Sequence, residues 1–219
     1  MKTRSPLLAC ALSFASLSVA QATGLVNGSF ESPVLGPSVT VGIDYTIASP
    51  PPAAFGWQLA SGAIDLLGTY WQAASGVQSV DMNGDFGSDP GVIYQDFSFS
   101  HAGTWAISFS LSANPDSPSP ANRSIRIDFG TSGGSLNSLG TWTVSVDGKT
   151  HANMGWATFT TPTITVQDAV VYRLEFSSLS PAPYGPALDN VQLVAVPEPS
   201  TMALAGLGAA ALMSLRRRR

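Results

Sequence analysis

The stretch Trp105-Ala106-Ile107-Ser108-Phe109-Ser110-Leu111 alternates large apolar side chains with small or polar ones. Successive side chains of a β-strand point to opposite faces, so a period of two predicts a strand with one buried face. The same alternation recurs at residues 124–129, 141–146, 170–177 and 190–193. We therefore expect half-buried strands in all of these stretches.

Breaker residues separate these stretches and indicate the fold class. Weaker strand candidates lie at 41–47, 77–82, 93–99 and 156–161, and segments rich in Pro, Gly, Ser or Asn lie at 49–52, 114–118, 130–140 and 180–183. The body of the chain shows no 3.6-residue apolar stripe of the kind that marks an amphipathic helix. Many short strands between such breakers predict an all-β protein, an antiparallel β-sandwich formed by one domain over residues 23–195.

The N-terminus predicts a signal peptide over residues 1–22. Lys2 and Arg4 precede an apolar stretch at 7–19, and Ala20-Gln21-Ala22 offers the small residues that signal peptidase requires. Cys10, the only cysteine, would leave with this segment. The mature protein would then have no thiol or disulfide, which excludes thiol catalysis and cysteine-ligated metals.

The C-terminal residues 196–219 combine a breaker, an apolar run and a basic cluster. Val196-Pro197-Glu198-Pro199 precedes uncharged residues 200–215, and Arg216, Arg217, Arg218 and Arg219 follow. A helix of that length would span about 24 Å, less than the roughly 30 Å of bilayer hydrocarbon. The arginines would keep its end cytoplasmic. We expect a transient membrane stop, with a weak permanent tail anchor as the alternative.

This C-terminal pattern resembles the PEP-CTERM sorting signal. The Pro-Glu-Pro motif, the short apolar helix and the terminal arginines occur in the order of that signal. The resemblance implies recognition by an exosortase, export through the inner membrane of a Gram-negative, biofilm-forming bacterium, and delivery to the cell surface or extracellular matrix.

The body is acidic. Residues 23–195 hold four basic and 13 acidic residues, and four minus 13 gives a net charge of −9. Such a charge repels nucleic acid and anionic lipid. It is compatible with neutral sugars and divalent cations as ligands.

A second set of motifs spans the body in order. They are Asn27-Gly28-Ser29-Phe30-Glu31, Asp65-Leu66-Leu67, Trp71-Gln72-Ala73, residues 76–84, and residues 184–191 with Tyr-Gly-Pro-Ala-Leu-Asp-Asn-Val. Together they resemble the choice-of-anchor C family, which is related to plant cell-wall proteins with galactose-binding-like domains. The resemblance implies a jelly-roll β-sandwich and no established activity.

Three oxygen-bearing side chains near the ends of the body are a candidate calcium site. The first and last strands of a jelly roll often meet, so Glu31 and Asp189 would each supply a carboxylate and Asn27 an amide oxygen, the hard ligands that calcium prefers. Galactose-binding-like domains often carry such a structural ion, and no other cofactor is implied. The alternative is that both carboxylates accept backbone hydrogen bonds in turns.

Aromatic side chains are the candidate sugar-binding residues, because the faces of pyranose rings pack on aromatic rings. We expect Tyr70, Trp71 and Tyr184 to take this role. The two tyrosines lie in turn-rich stretches, which favours exposure, whereas Trp71 is equally compatible with core packing.

No catalytic constellation is visible in the sequence. The only histidines, His101 and His151, join no nucleophile elbow, metal-binding pair or triad. We therefore expect a non-catalytic, surface-delivered protein that binds or organises extracellular polysaccharide. A secreted glycan or ester hydrolase built on paired carboxylates, and a structural adhesion protein that binds other proteins, are the alternatives.

The sorting signal predicts where the mature chain ends. Exosortase processing should leave a C-terminus between Pro197 and Thr201, because the apolar run and the arginines serve only in sorting. Intact mass spectrometry of the secreted protein checks this. A secreted form that retains Arg216–Arg219 would contradict it.

Overall fold

The structure is a computed structural model that describes residues 24–36, 42–84, 89–181 and 183–196. The predicted signal peptide, the residues from Pro197 to the C-terminal arginines, and their predicted membrane stop lie outside this part of the chain. Among the described residues, no helix has the length and apolar character needed to cross a membrane.

The described residues form twelve strands and one short 3₁₀ helix, Ala53–Phe55. The strands are β1 (Ile43–Thr46), β2 (Gln58–Ser61), β3 (Ala63–Leu67), β4 (Ser79–Asp81), β5 (Val92–Ser98), β6 (Gly103–Ala113), β7 (Asn122–Thr131), β8 (Leu136–Ser145), β9 (Ala157–Thr160), β10 (Ile164–Val166), β11 (Val171–Ser178) and β12 (Pro186–Ala195).

The strands form two antiparallel sheets. One sheet has seven strands in the order β1-β3-β4-β12-β6-β10, with β9 also paired to β6, and the other has the order β2-β5-β11-β7-β8. The chain passes repeatedly from one sheet to the other, so several neighbouring strands, such as β4 and β12 or β5 and β11, are distant in sequence. The predicted antiparallel jelly-roll β-sandwich is confirmed.

The core lies between the two sheets and is centred on aromatic side chains. Phe109 of β6 and Phe176 of β11 are fully buried, with ring centroids 5.9 Å apart. Trp57 packs against the edge of Phe176 at 5.7 Å, and Trp142 of β8 against Phe109 at 5.2 Å. Since apolar burial is the main favourable term in folding, these contacts hold the sheets together.

The alternating stretches form strands as predicted, and three other predictions need correction. The stretch at 130–140 is not one breaker, because β7 runs to Thr131, β8 begins at Leu136, and Gly140 lies next to a bulge in β8. Strand β3 was missed because it is buried on both faces and shows no alternation. Strands β2 and β10, of four and three residues, were also missed.

Replacing Phe176 tests the central packing. Phe176→Ala should lower the free energy of unfolding by about 3–5 kcal/mol, because the lost aromatic contacts leave a cavity between the sheets. Leu179→Ala, at a side chain that is 49% exposed, should cost less than about 1 kcal/mol. Urea denaturation measures both, and equal losses would contradict this account of the core.

Candidate functional site

Part of the outer face of the seven-stranded sheet is apolar. Leu67 of β3 and Ala187 of β12 point away from the main core, since their neighbours Leu66 and Leu188 point into it. Trp71 and Met154 cover these two side chains and form a second, smaller apolar cluster. Two segments, 69–78 and 149–156, therefore lie over the sheet, and we call them the cap.

Polar contacts fix the cap to the sheet. Trp71 Nε1 donates to Ser79 Oγ at 2.7 Å, and Ser112 Oγ donates to the Met154 carbonyl oxygen at 2.5 Å. Both serines are buried, so these bonds form away from water and hold the Trp71 indole and the Met154 backbone in place.

Gln72 joins the two segments of the cap. Its backbone N–H donates to the His151 carbonyl oxygen at 2.8 Å, and its own carbonyl oxygen accepts from Trp156 Nε1 at 2.7 Å. Its side-chain oxygen accepts from the Met154 N–H at 3.3 Å. Three bonds from one residue make the cap a single connected unit.

The predicted calcium ligands Glu31 and Asp189 accept hydrogen bonds from the first cap segment. Asp189 Oδ2 accepts the backbone N–H groups of Ala74 and Ser75, both at 2.8 Å. Glu31 Oε1 accepts those of Val77 and Gln78, also at 2.8 Å. The structure therefore brings the two carboxylates to one loop, and these contacts agree with the alternative role in turns.

Asn27 has a different set of partners. Its amide nitrogen donates to the Ser32 and Phe55 carbonyl oxygens at 2.7 and 2.8 Å, and its oxygen accepts the Ser32 N–H at 3.0 Å. The Asn27 amide thus stabilises the loop at residues 27–32 and connects it to Phe55. Calcium at Asn27, Glu31 and Asp189 stays a prediction.

Asp189 is buried, so its ionised form is disfavoured relative to an aspartate in water. Burial, the largest influence, and the nearby Glu31 carboxylate raise the pKa of Asp189 to about 7, against the lowering by the N–H groups of Ser75, Asn190 and Ala74. The loop contact is therefore sensitive to pH near neutrality.

Tyr70 and Tyr184 line one cleft at the edge of the cap. The cleft has a volume of about 300 Å³. Its other walls are an apolar side chain, an amide and three carboxylates: Leu67, Asn114, Asp65, Asp81 and Asp116. We call it the acidic cleft. Of the predicted aromatic residues, the structure thus brings the two tyrosines together.

Trp71 does not share this cleft. It is only 3% exposed and packs in the apolar cluster beneath the cap. Of the two roles that the sequence left open for Trp71, the structure thus shows core packing, and the residue supports Tyr70, whose ring centroid lies 6.1 Å away.

Asp116 and His151 were not singled out as site residues from the sequence, yet both contact Tyr70. Tyr70 Oη donates to Asp116 Oδ2 at 3.1 Å, and His151 Nε2 lies 2.6 Å from Asp116 Oδ1. The rings of Tyr70 and His151 have centroids 4.3 Å apart. This three-residue cluster fixes the orientation of the Tyr70 ring at the mouth of the acidic cleft.

Buried polar groups hold the floor of the acidic cleft. Asp81 Oδ2 accepts from Asn114 Nδ2 at 2.6 Å, and Asp81 Oδ1 accepts the backbone N–H groups of Asn83 and Gly185 at 3.0 and 3.1 Å. A Cβ at position 185 would meet Asp81 Oδ1 at 2.4 Å. Glycine after Tyr184 is therefore needed for this close approach.

Arg123 positions the loop that carries Asp116. Its side chain is fully buried, and its guanidinium donates to the carbonyl oxygens of Pro120 and, at 2.9 Å, Ser117. The loop is thus fastened from inside the domain, which keeps Asp116 within reach of Tyr70.

The raised pKa of Asp189 predicts the pH dependence of stability. Between the ordinary value of 3.8 and about 7, only the folded state holds the proton, so the free energy of unfolding falls as the pH rises across this range. The contribution reaches about 4 kcal/mol. Urea denaturation from pH 5 to 8 measures the part of this loss that falls above pH 5, about 3 kcal/mol. Asp189→Asn, which does not titrate, should flatten the slope, and an unchanged slope would contradict the assignment.

The chain is similar in sequence to one curated protein. Halomucin of Haloquadratum walsbyi (strain DSM 16790 / HBSQ001) is 28% identical over 187 residues, which cover 84% of this chain. The chain spans 2% of the length of that curated relative.

Two solved structures are similar in fold. TmCBM61 in complex with β-1,4-galactotriose has a TM-score of 0.49 and 16% identity, and the match covers 80% of this chain and 99% of that one. The CBM22-1 xylan-binding domain of Paenibacillus barcinonensis Xyn10C has a TM-score of 0.46 and 14% identity, over 73% of this chain and 99% of that one.

Two family matches cover the chain from residue 23 to its last residue. Residues 195–219 match the PEP-CTERM protein-sorting motif, which confirms the predicted sorting signal and indicates an exported protein that exosortase sorts to the cell surface. The choice-of-anchor C assignment stays a prediction. Residues 23–194, most of the chain, match the model of the family described as protein of unknown function (DUF642), and the chain belongs to that family.

Proposed function

We propose that this protein binds a neutral extracellular polysaccharide at the acidic cleft and does not cleave it. The observation that carries this proposal is that Tyr70 and Tyr184 line one cleft together with an amide and carboxylates. Aromatic rings accept the apolar faces of pyranose sugars, and planar polar side chains bond to their hydroxyl groups. The acidic cleft offers both kinds of contact.

The charge of the cleft favours neutral sugars over acidic ones. Three aspartates line it, and no Lys or Arg is among its described lining residues. A uronate or sulfate group would meet like charge there and in the acidic body as a whole. Neutral hydroxyls can donate hydrogen bonds to the same carboxylates, which are strong acceptors.

The cleft is organised before any ligand binds. Tyr70 is held by Asp116 and packs against His151, and Asp81 accepts three hydrogen bonds from its surroundings. Side chains that are already ordered lose little conformational entropy on binding. This supports recognition of a weakly interacting ligand such as a sugar chain.

The two ends of the chain would direct it to the cell surface. Signal peptidase and exosortase would process the two ends of the chain, and the apolar C-terminal segment would associate with the membrane only until it is removed. The mature domain would then act in the extracellular matrix of a Gram-negative bacterium, where polysaccharide is abundant.

A hydrolase is the second candidate, and one observation favours it. Asp65 of β3 and Asp81 of β4 are directly paired across the two strands and line the same cleft. Residues opposite one another in a sheet have Cβ atoms about 5 Å apart, close to the carboxyl separation of retaining glycosidases. However, both oxygens of Asp81 are engaged in structural hydrogen bonds, so we place binding first.

Adhesion to other proteins has less support. A protein-binding surface would show as exposed apolar side chains gathered in one patch. The acidic cleft is instead lined mainly by polar side chains.

Affinity gel electrophoresis tests the proposed site. The gels contain neutral galactan, xylan, mannan or β-glucan, or polygalacturonate as the acidic probe. At least one neutral polymer should retard the protein, and polygalacturonate should not. Tyr184→Ala should weaken retention about tenfold, the effect of losing roughly 1.4 kcal/mol of stacking energy.

Tyr94→Ala is the matched control, because Tyr94 is also half-buried but lies on β5 in the five-stranded sheet. Its affinity should equal that of the unmodified protein. Loss of binding in Tyr94→Ala with full binding in Tyr184→Ala would place the site elsewhere. Retardation by none of the polymers would overturn the proposal, and release of reducing sugar that Asp65→Asn abolishes would favour the hydrolase.

A further inference from the structure

The acidic cleft is the first of three clefts that adjoin one another in turn across the cap. It shares Tyr70 with a second, open cleft of about 700 Å³, lined in part by Trp71, Gln72 and His151. The second cleft shares Gln72 and Ala73 with a third, of about 440 Å³. The three clefts therefore follow one another over the same two segments.

The third cleft differs in its chemistry from the acidic cleft. Its described lining includes no charged side chain and offers amides, hydroxyls and an indole: Gln72, Asn153, Asn190, Ser110, Thr158 and Trp156. Trp156 is half-buried, and its Nε1 is occupied by the Gln72 carbonyl oxygen. The indole can therefore contribute its ring surface, and the amides and hydroxyls can bond to sugar hydroxyl groups.

The walls between the clefts are well fixed. Tyr70, between the first two, is held by Asp116 and packs against His151. Gln72, between the second and third, makes three hydrogen bonds to the other segment of the cap. The spacing of the three clefts is thus set by the fold, as binding to a regular polymer requires.

We propose that the three clefts form one extended track that binds several consecutive units of a neutral polysaccharide. The chain would lie over the cap, with Tyr184 and Tyr70 contacting one end of the bound stretch and Trp156 the other. This inference rests on the proposed function and adds that the protein recognises the length of a chain and not a single sugar.

The track predicts that affinity rises with the length of the ligand. A single sugar occupies one cleft, whereas a longer oligosaccharide makes contacts in all three without a second loss of translational freedom. Isothermal titration calorimetry is carried out with linear oligosaccharides, from the monosaccharide to the hexasaccharide, of whichever neutral polymer retards the protein. The hexasaccharide should bind at least about tenfold more tightly than the disaccharide.

Two substitutions in the third cleft locate the effect. Asn153 is exposed, so Asn153→Arg should fold normally and obstruct the third cleft with a long side chain. It should abolish the tenfold gain for the hexasaccharide and leave disaccharide affinity within about twofold, while Tyr184→Ala weakens binding of both. Trp156→Ala should act like Asn153→Arg, with thermal melting as the check on its fold.

Asn137→Arg is the matched control, since Asn137 is exposed on β8 in the other sheet. It should retain the full dependence on chain length. Equal affinity for all lengths, or a hexasaccharide gain that survives Asn153→Arg, would overturn the track and leave the acidic cleft as a binding site. If the unmodified protein binds none of the sugars, the proposed function is wrong, and the proposal of an extended track is wrong as well.

Discussion

Burial of Trp71 against Leu67 and Ala187 is the contact on which the candidate site depends. A sheet of a sandwich buries one face in the core, and its outer face is usually polar where water reaches it. Here part of the outer face is apolar and has to be covered. Trp71 and Met154 cover it from two segments that are about 80 residues apart in sequence. Tyr70 and Gln72 flank Trp71, so covering the apolar cluster also sets the walls of the clefts.

The chain uses carboxylates near both ends of the domain to hold this arrangement. Glu31 precedes β1, and Asp189 lies in β12, yet both accept hydrogen bonds from the loop at 74–78. Burying Asp189 is unfavourable, and its raised pKa reflects that cost. The clefts therefore depend on the scaffold, because the loop that shapes them is hydrogen-bonded to residues near the beginning and the end of the domain.

The sequence predicted the fold class well and the site in part. Alternation identified β6 and β11, because large apolar side chains alternate there with small or polar ones, whereas both faces of β3 carry apolar side chains. Tyr70 and Tyr184 were chosen from their turn-rich surroundings, and the structure brings them to one cleft. The sequence left open whether Trp71 is exposed or packed, since its motif does not reveal that apolar side chains lie beneath it. Asp116 and His151 were missed as site residues because 35 positions separate them and only tertiary structure joins them.

The central claim is that ligands bind on the cap over the seven-stranded sheet. Backbone amide chemical-shift changes, recorded by NMR as a binding oligosaccharide is added, test it most directly. The account predicts that the largest changes occur at residues 69–77, 114–116, 151–158 and 184, with small changes elsewhere. The largest changes on the outer face of the five-stranded sheet, around Tyr94 and Arg173, would contradict it.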